Sequence, residues 1–523
     1  MRDPGAARVT SVSTSSGMPF DARHDARDEA RRDALARLEE RARRELAMLA
    51  YPKREWVPPR KTAGGEPILD VLIVGGGQGG IATAFALRRE RVENVLVVDA
   101  APAGQEGPWR RFARMKTLRT PKHVLGPELG IPSLSVQAWF EAQHGEGSFD
   151  AFAFIDREAW AEYLSWLRGV LDLPVKNETR VGAMRWDAAN GCFLVPITTG
   201  SGPLGTADVV YARKVVLATG IEGSGQWWVP ELVREGLPKS RWAHTCERID
   251  FEALVGKRVA ILGAGASAFD NAAVALEHGA ARVDLFFRRP DLVRVNVYRW
   301  AEFTGFLRHH ADLPDDAKWR FVKRFWEAGQ LPPKTTYERA AEHPDFHLRP
   351  GSPWLSVEEV DGEVRVTTPK GTSAHDFVIC GTGFRTDLAT RPELRAIEAH
   401  VARWEDRFEP PEGERVDELL RHPYLGPSFE LTERREGEAP WLRGLFCFSF
   451  GGLLSCGLGG ASISGMKYGV DRLVAGITRQ LYLEDAETHF RALDAYDVPD
   501  IESVRLDEPS DAPTGEATKS EVR

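Results

Sequence analysis

The chain runs to 523 residues, 42% of them hydrophobic, with a formal net charge of −9 at pH 7. That length supports two or three domains with a large core, and the mixed, mildly acidic balance lacks the basic block that nucleic-acid binding requires. Its five cysteines, Cys192, Cys246, Cys380, Cys447 and Cys456, form no C-x-x-C pair, so neither a redox dithiol nor a zinc site is signalled, and their odd number fits a reducing, cytoplasmic setting.

Residues 1–24 read as disordered, and the first fifty residues are charged throughout with no apolar signal core. Leu35, Leu38, Ala42, Leu46 and Leu49 recur at helical spacing and predict a helix over residues 28–50. Its apolar stripe suits packing on the body or on a second subunit, which leaves a homo-oligomer open. Pro52, Pro58 and Pro59 end it, so residues 1–62 form an N-terminal extension.

The run VLIVGGGQGG at 71–80 is an apolar strand feeding a glycine-rich turn and a helix start. Gly75 permits the sharp turn, Gly77 lets backbone amides approach a pyrophosphate, and Gly80 lets helix pack close on strand. Free N–H groups at that helix start attract the phosphates. The next strand, NVLVVDA, ends at Asp99, twenty-four residues after Gly75. A carboxylate there accepts hydrogen bonds from both ribose hydroxyls, which suits the adenosine of FAD.

Residues 106–132 read as a long loop. Helix returns over 156–171 with Trp160, Tyr163, Leu164 and Trp166, followed by strands at 180–186 and 193–197. RKVVLATG, at 213–220, is a buried strand closing on a turn at Thr219 and Gly220. A second fingerprint, VAILGAGASA at 259–268, carries Gly263 and Gly265, with Ser267 in the first helical turn and Ala268 in the third glycine place. Its following strand, RVDLFFRRP, ends in Arg288 and Arg289 instead of an acid. Two cations at that end suit a 2′-phosphate, so NADPH is expected over NADH.

Residues 294–350, rich in Trp, Arg, His and Pro, break the alternation and read as a helical insert. The sheet resumes at 363–368 and at FVICGTGF, 377–384. Residues 444–466 carry no charge, but their seven glycines and four serines fit a strand, a glycine loop and a helix start better than a membrane span. The strand and helix run over 445–481, and the acidic tail 498–523 reads as mobile.

Together these elements predict an α/β protein with two Rossmann-like dinucleotide-binding domains, the second inserted into the first. The FAD domain spans 63–236 and 385–497, and the NADPH domain spans 237–384 with its helical insert at 294–350. Such an interruption places the two nucleotides in a shared cleft.

Four features in this order resemble the class B flavoprotein monooxygenases: GGGQGG, LATG at 217–220, GAGASA with Arg288, and DFVICGTGF. The last is similar to the D-x-x-x-L-A-T-G-Y motif of N-hydroxylating members, carried by Asp376, Thr382, Gly383 and Phe384, with Cys380 and Gly381 departing from it. LRTPK, at 118–122, looks like the L-x-T-N-x-P-K stretch such enzymes place near the flavin ring. The Baeyer–Villiger fingerprint is broken: His244 is in place, but Pro238, Ser240 and Arg248 stand where Phe, Gly and Trp belong.

The resemblance implies an FAD- and NADPH-dependent enzyme that uses O2, forms a flavin C4a-(hydro)peroxide and oxygenates a small molecule. N-hydroxylation of an amine or amino acid is the leading expectation. Baeyer–Villiger oxidation, S-oxygenation and flavin reduction without oxygen insertion are the alternatives. Asn296, Arg299 and Lys122 are the catalytic candidates, with His123 beside them. Asn296 reads either as a cofactor and substrate contact or as a turn residue. Arg299 reads as a clamp for a substrate carboxylate or as a surface ion pair, and Trp109 as an aromatic beside the flavin or as core. Adjacent His309 and His310 lack partner ligands, so no metal is expected.

Overall fold

The computed structural model describes residues 20–49, 54–123, 126–200, 205–460, 462–501 and 503. Expectations for residues 1–19 and for most of the tail fall outside the described residues. The first helix is Phe20–Leu49, eight residues longer at its start than the apolar stripe indicated. Residues 20–27, FDARHDAR, have Phe20 as their one large apolar residue, so periodicity does not register them. Leu38 and Ala42 are buried against the chain's own body. Arg31 donates to Gln143, and Arg41 to Ser133, fastening the helix across the Val136–His144 helix and the turn before it.

Two sheets organise the molecule, the first mixed and the second parallel. The first centres on Pro67–Val74, flanked by Val95–Val98 and by Thr206–Leu217. Val74 lies in register with both Val98 and Leu217, so three strands end at one level and their turns converge there. Thr206–Leu217 also pairs antiparallel with Cys192–Thr199 and, near its end, parallel with Leu445–Cys447. The second sheet runs Trp242–His244, Phe377–Cys380, Arg258–Leu262, Arg282–Phe286 and Phe346–Arg349, all parallel. The second sheet is therefore built from residues lying between strands of the first, as the two fingerprints implied. Strands buried on both faces explain the nearly unbroken apolar runs VLIV and VAIL.

The chain crosses between the sheets twice, and the crossings pair with each other. Gly225–Trp227 and Phe384–Thr386 form a two-stranded antiparallel ribbon. The stretch expected as helical insert holds the helices Val297–Trp300, Thr304–His309, Asp315–Ala328 and Lys334–Ala341. It closes on Phe346–Arg349, which is an edge strand and not part of the helices. Four half-buried residues at a sheet edge carry no alternation from which to read them. Among the described residues, no helix is long and apolar enough to cross a membrane. The uncharged 444–466 stretch is a strand, short turns and the start of the helix Ile463–Glu484.

Candidate cofactor cleft

The first glycine turn is shaped by two steric demands. Gly75 sits at φ 110°, a left-handed conformation that side chains resist. A Cβ on Gly80 would lie 1.8 Å from the Gly75 carbonyl oxygen, so the helix Gln78–Arg89 starts hard against the turn. Gly77 caps that helix without any side-chain hydrogen bond, and a Cβ there would meet nothing nearer than 3.9 Å. Uncapped amides facing open space form an anion cradle.

Asp99 stands beside it. Its Oδ2 accepts from the Gly76 amide and its Oδ1 from the Ala101 amide, each at 2.7 Å. Each oxygen keeps acceptor capacity for a ribose hydroxyl. A cavity of about 500 Å³ opens here between Gly76, Gly77, Gly104, Glu106, Trp109 and Arg168. Trp109 packs edge-on to Trp160 at 6.5 Å and also lines the cavity. Its buried indole N–H has no protein partner. An adenine dinucleotide fits this donor set: open cradle, carboxylate, aromatic wall and an unsatisfied donor. Thr219 and Gly220 follow the neighbouring strand, with Gly220 at φ 82° and Thr219 Oγ1 donating to Gly223 O at 3.4 Å.

The second turn repeats the design. Gly263 is at φ 119°, and its Cβ would fall 2.3 Å from the Gly381 carbonyl oxygen. Gly265 starts the helix Ala266–Glu277 without a side-chain cap, and nothing lies within 4 Å of its missing Cβ. Ser267 is exposed in the first turn. Beyond the next strand the two arginines part. Arg288 is exposed, whereas Arg289 donates to the Ala328 and Glu327 carbonyls at 2.8 and 2.6 Å. Arg289 thus caps the helix Asp315–Ala328, and the expectation of two free cations is corrected to one.

The catalytic candidates are not brought together as expected. Lys122 donates to the Phe149 carbonyl, pairs with Asp150 at 3.7 Å and sits over the Phe149 and Phe152 rings. It is occupied in holding that turn. Asn296 is exposed, and its Oδ1 accepts from the Tyr298 amide at 3.1 Å, capping Val297–Trp300 in the turn role. Arg299 is exposed on the same short helix, and His123 is exposed beside Lys122. Thr382 donates to the Trp228 carbonyl, and Gly383, at φ 76°, accepts from the Trp228 amide at 3.0 Å. Both tie the crossing ribbon at the second glycine turn. Asp376 accepts from the Arg258 backbone and guanidinium, and those bonds hold its carboxyl down to about 2. Burial pushes His244 down to about 4, and its Nδ1 meets Cys246 Sγ at 3.1 Å. No group of three or more metal-ligating side chains occurs among the described residues.

Other residues of the cleft escaped the sequence reading. Glu106 lines the cavity while accepting from Arg168 and Asn177, each at 2.6 Å. Residues 106–123 straddle the two sheets without regular structure. Arg114 donates to the Thr245 and Glu247 carbonyls at 2.6 and 2.7 Å, Lys116 pairs with Glu277, and Arg119 reaches buried Asp270 at 3.3 Å. Phe112, Trp227, Phe384 and Phe450 form a chain of ring contacts along the crossing, at 5.5, 6.1 and 4.8 Å. The Arg385 guanidinium lies 4.0 Å over Trp228. Phe384 and Arg119 lie within DFVICGTGF and LRTPK, whereas loop position and long sequence separation left the other groups without a motif.

Comparison with known proteins follows this geometry. A family model described as pyridine nucleotide-disulphide oxidoreductase matches residues 69–308. The chain is 46% identical over 464 residues to an FAD-dependent urate hydroxylase of Xanthomonas campestris pv. campestris, covering 89% of this chain and 96% of that protein. In fold it is similar to the ornithine hydroxylase of Pseudomonas aeruginosa, with TM-score 0.62 at 14% identity over 79% of this chain and 100% of the other. An ornithine N-hydroxylase of Kutzneria sp. 744, solved with reduced FAD, NADP+ and L-ornithine, gives TM-score 0.59 at 16% identity, with coverage of 79% and 100%. The glycine cradles, the acid at the first strand end and the extent of the match to the Xanthomonas enzyme lead to one assignment: the chain belongs to the FAD-dependent monooxygenase family of that enzyme and is a flavin oxidoreductase.

Proposed function

We propose that the protein is an FAD- and NADPH-dependent monooxygenase acting on a flat, nitrogen-rich oxo-heterocycle of the urate class. The observation that carries this reading is the 46% identity to a urate hydroxylase across 96% of that enzyme. The turn from Gly75 to Gly80 and Asp99 would hold the FAD pyrophosphate and ribose. The Gly263–Gly265 cradle, Ser267 and Arg288 would hold the nicotinamide nucleotide. When bound and reduced, the flavin supplies O2 activation and an electrophilic oxygen. The chain's own residues shape the space around it. The half-buried rings of Phe112, Trp227, Phe384 and Phe450 give the crossing between the sheets an apolar lining. Arg385, 4.0 Å over the Trp228 ring, offers a planar cation to an anionic heterocycle.

N-hydroxylation of an amine or amino acid is the second reading, favoured by the DFVICGTGF motif. On this reading Asn296 Oδ1 caps its own turn and its exposed Nδ2 amide is the group that would meet cofactor or substrate. A turnover screen decides between them. FAD-loaded enzyme is supplied with NADPH, 18O2 and, separately, urate, ornithine, lysine, a thioether and a ketone. Urate should stimulate NADPH oxidation and acquire one labelled oxygen. Label in an amine product, with no response to urate, replaces this reading by the second. Hydrogen peroxide alone with every compound leaves a reductase.

A further inference from the structure

A second cavity, of about 380 Å³, lies away from the cofactor cleft and is lined by Arg60, Trp186, Arg213, Lys214, Trp441 and Arg443, among others. Lys214 is in register with Val71, on the approach to the glycine turn that follows Val74, so the cavity sits toward the opposite end of the first sheet's strands. The helix Ile463–Glu484 ends there, and its last carboxylates reach into the strand's cations. Arg213 pairs with Asp485 at 2.8 Å and Glu484 at 3.2 Å, Lys214 with Glu484 at 2.5 Å, and Arg60 with Asp485 at 2.5 Å. Asp70 lies 3.9 Å from Arg213. Three cations thus meet three carboxylates, and Arg443 is a fourth cation on the same wall.

Two features point to a ligand. Arg213 has a side chain only 1% exposed, yet its Nε has no hydrogen-bond partner. Exposed Arg443, close enough to Lys214 to lower its proton affinity, makes no ion pair among the described residues. The wall beside these cations is flat. Trp186 and Trp441 lie parallel, 5.9 Å apart and 6° from coplanar, and buried Phe193 meets both edge-on at 5.2 and 6.0 Å. The rings are therefore held in place before any ligand arrives, which reduces the entropy cost of binding. We propose that this cavity is a second ligand site, for a small aromatic carboxylate whose ring lies on Trp441 and whose anion meets Arg443, Lys214 and Arg213.

The test is calorimetric titration of FAD-loaded enzyme with 2-naphthoate, with NADPH absent and then present. Binding should be saturable and indifferent to NADPH. It should weaken at least tenfold for uncharged 2-naphthol, for inorganic phosphate and in Arg443→Glu, a surface substitution expected to leave FAD content and melting temperature unchanged. Trp441→Leu should weaken naphthoate binding while leaving phosphate binding as it was. Four outcomes overturn the proposal: no binding up to about 5 mM, affinity unchanged in Arg443→Glu, phosphate binding as tight as naphthoate, or displacement by NADPH.

Discussion

Arg288 and Arg289 are adjacent in the chain, yet the fold gives them different partners. Arg288 is the exposed cation beyond the second nucleotide-binding strand, while Arg289 closes a helix end. Arg288→Ala should raise KM for NADPH roughly ten- to hundred-fold, from losing a charge-assisted phosphate contact worth about 1.5–3 kcal/mol, and leave NADH kinetics largely unchanged. Arg289→Ala should instead lower thermal stability, by about 0.3–1 kcal/mol for a lost C-terminal cation, without changing cofactor preference. Steady-state kinetics with both nicotinamides separate the two. Equal use of NADH and NADPH by the wild type would sink the Arg288 role. At Gly80 the demand is steric: a methyl group 1.8 Å from the Gly75 carbonyl forces the turn apart. Gly80→Ala should be recovered with little or no FAD, read as the ratio of flavin to protein absorbance. These glycines were legible from spacing alone, because each is required by its immediate neighbours. The exposure of one arginine and the burial of the other's donors were not, because the carbonyls Arg289 caps come from residues 327 and 328.

Residues 106–123 form the element on which the two sheets depend most without containing a helix or strand. Three of its basic residues reach across: Arg114 to carbonyls at 245 and 247, Lys116 to Glu277, Arg119 to Asp270. Asp270 is 4% exposed at its side chain, and burial raises its pKa against the opposing pull of Arg119. Arg119→Ala leaves that carboxylate with its Thr336 hydrogen bond and only the weaker pull of Arg339. It should destabilise the protein by about 1–3 kcal/mol. Arg119→Ala with Asp270→Asn should recover most of that loss, since the uncompensated buried charge is gone. Thermal denaturation of the wild type, both single variants and the double variant tests the coupling. Additive losses would show that the pair is not coupled. The resemblance singled out the LRTPK segment, but a loop has no period, and a contact spanning 151 positions leaves no local trace.

The whole molecule carries a pH dependence set by burial. His244, His310, His375 and His422 are 1–3% exposed, and loss of solvation holds each down to about 4. Unfolded histidine titrates near 6.5. Between those values the unfolded chain binds protons that the folded one refuses, so stability is lost as pH falls from about 6.5 toward 4. Asp70 works the other way. Burial lifts it to about 6, so its contribution is present at acid pH and lost as pH rises through about 6. Glu128, Glu222 and Asp270, also raised by burial, act in the same direction as Asp70, and the large shifts of the four histidines leave a net loss on the acid side. The melting temperature should fall steadily from pH 7 to about pH 4.5. His310→Gln, which keeps a donor toward the Leu454 carbonyl, should flatten part of that slope. A wild-type melting temperature constant over this range would contradict the argument.

The amino-acid sequence by itself determined the two nucleotide-binding units, their order and the interruption of one by the other. Each unit is a local device: an apolar strand, a turn that only glycine can make, and a helix start a few residues on. The acid at the end of NVLVVDA and the ribbon glycines belong to the same class, since backbone geometry within a short stretch dictates them. Only the tertiary structure decided which polar side chains face the cleft. Asn296 and Lys122 had the right chemistry and the right order, yet one caps its own helix and the other holds a turn at 149–152. Arg114, Glu106 and Arg385 took places beside the cofactor cradles or across the sheet crossing with no motif to announce them, and Arg119 lay inside LRTPK with no role assigned. Hydrogen-bonding side chains go to whichever buried backbone groups or charges lack partners. Those vacancies arise only when strands hundreds of residues apart are packed together.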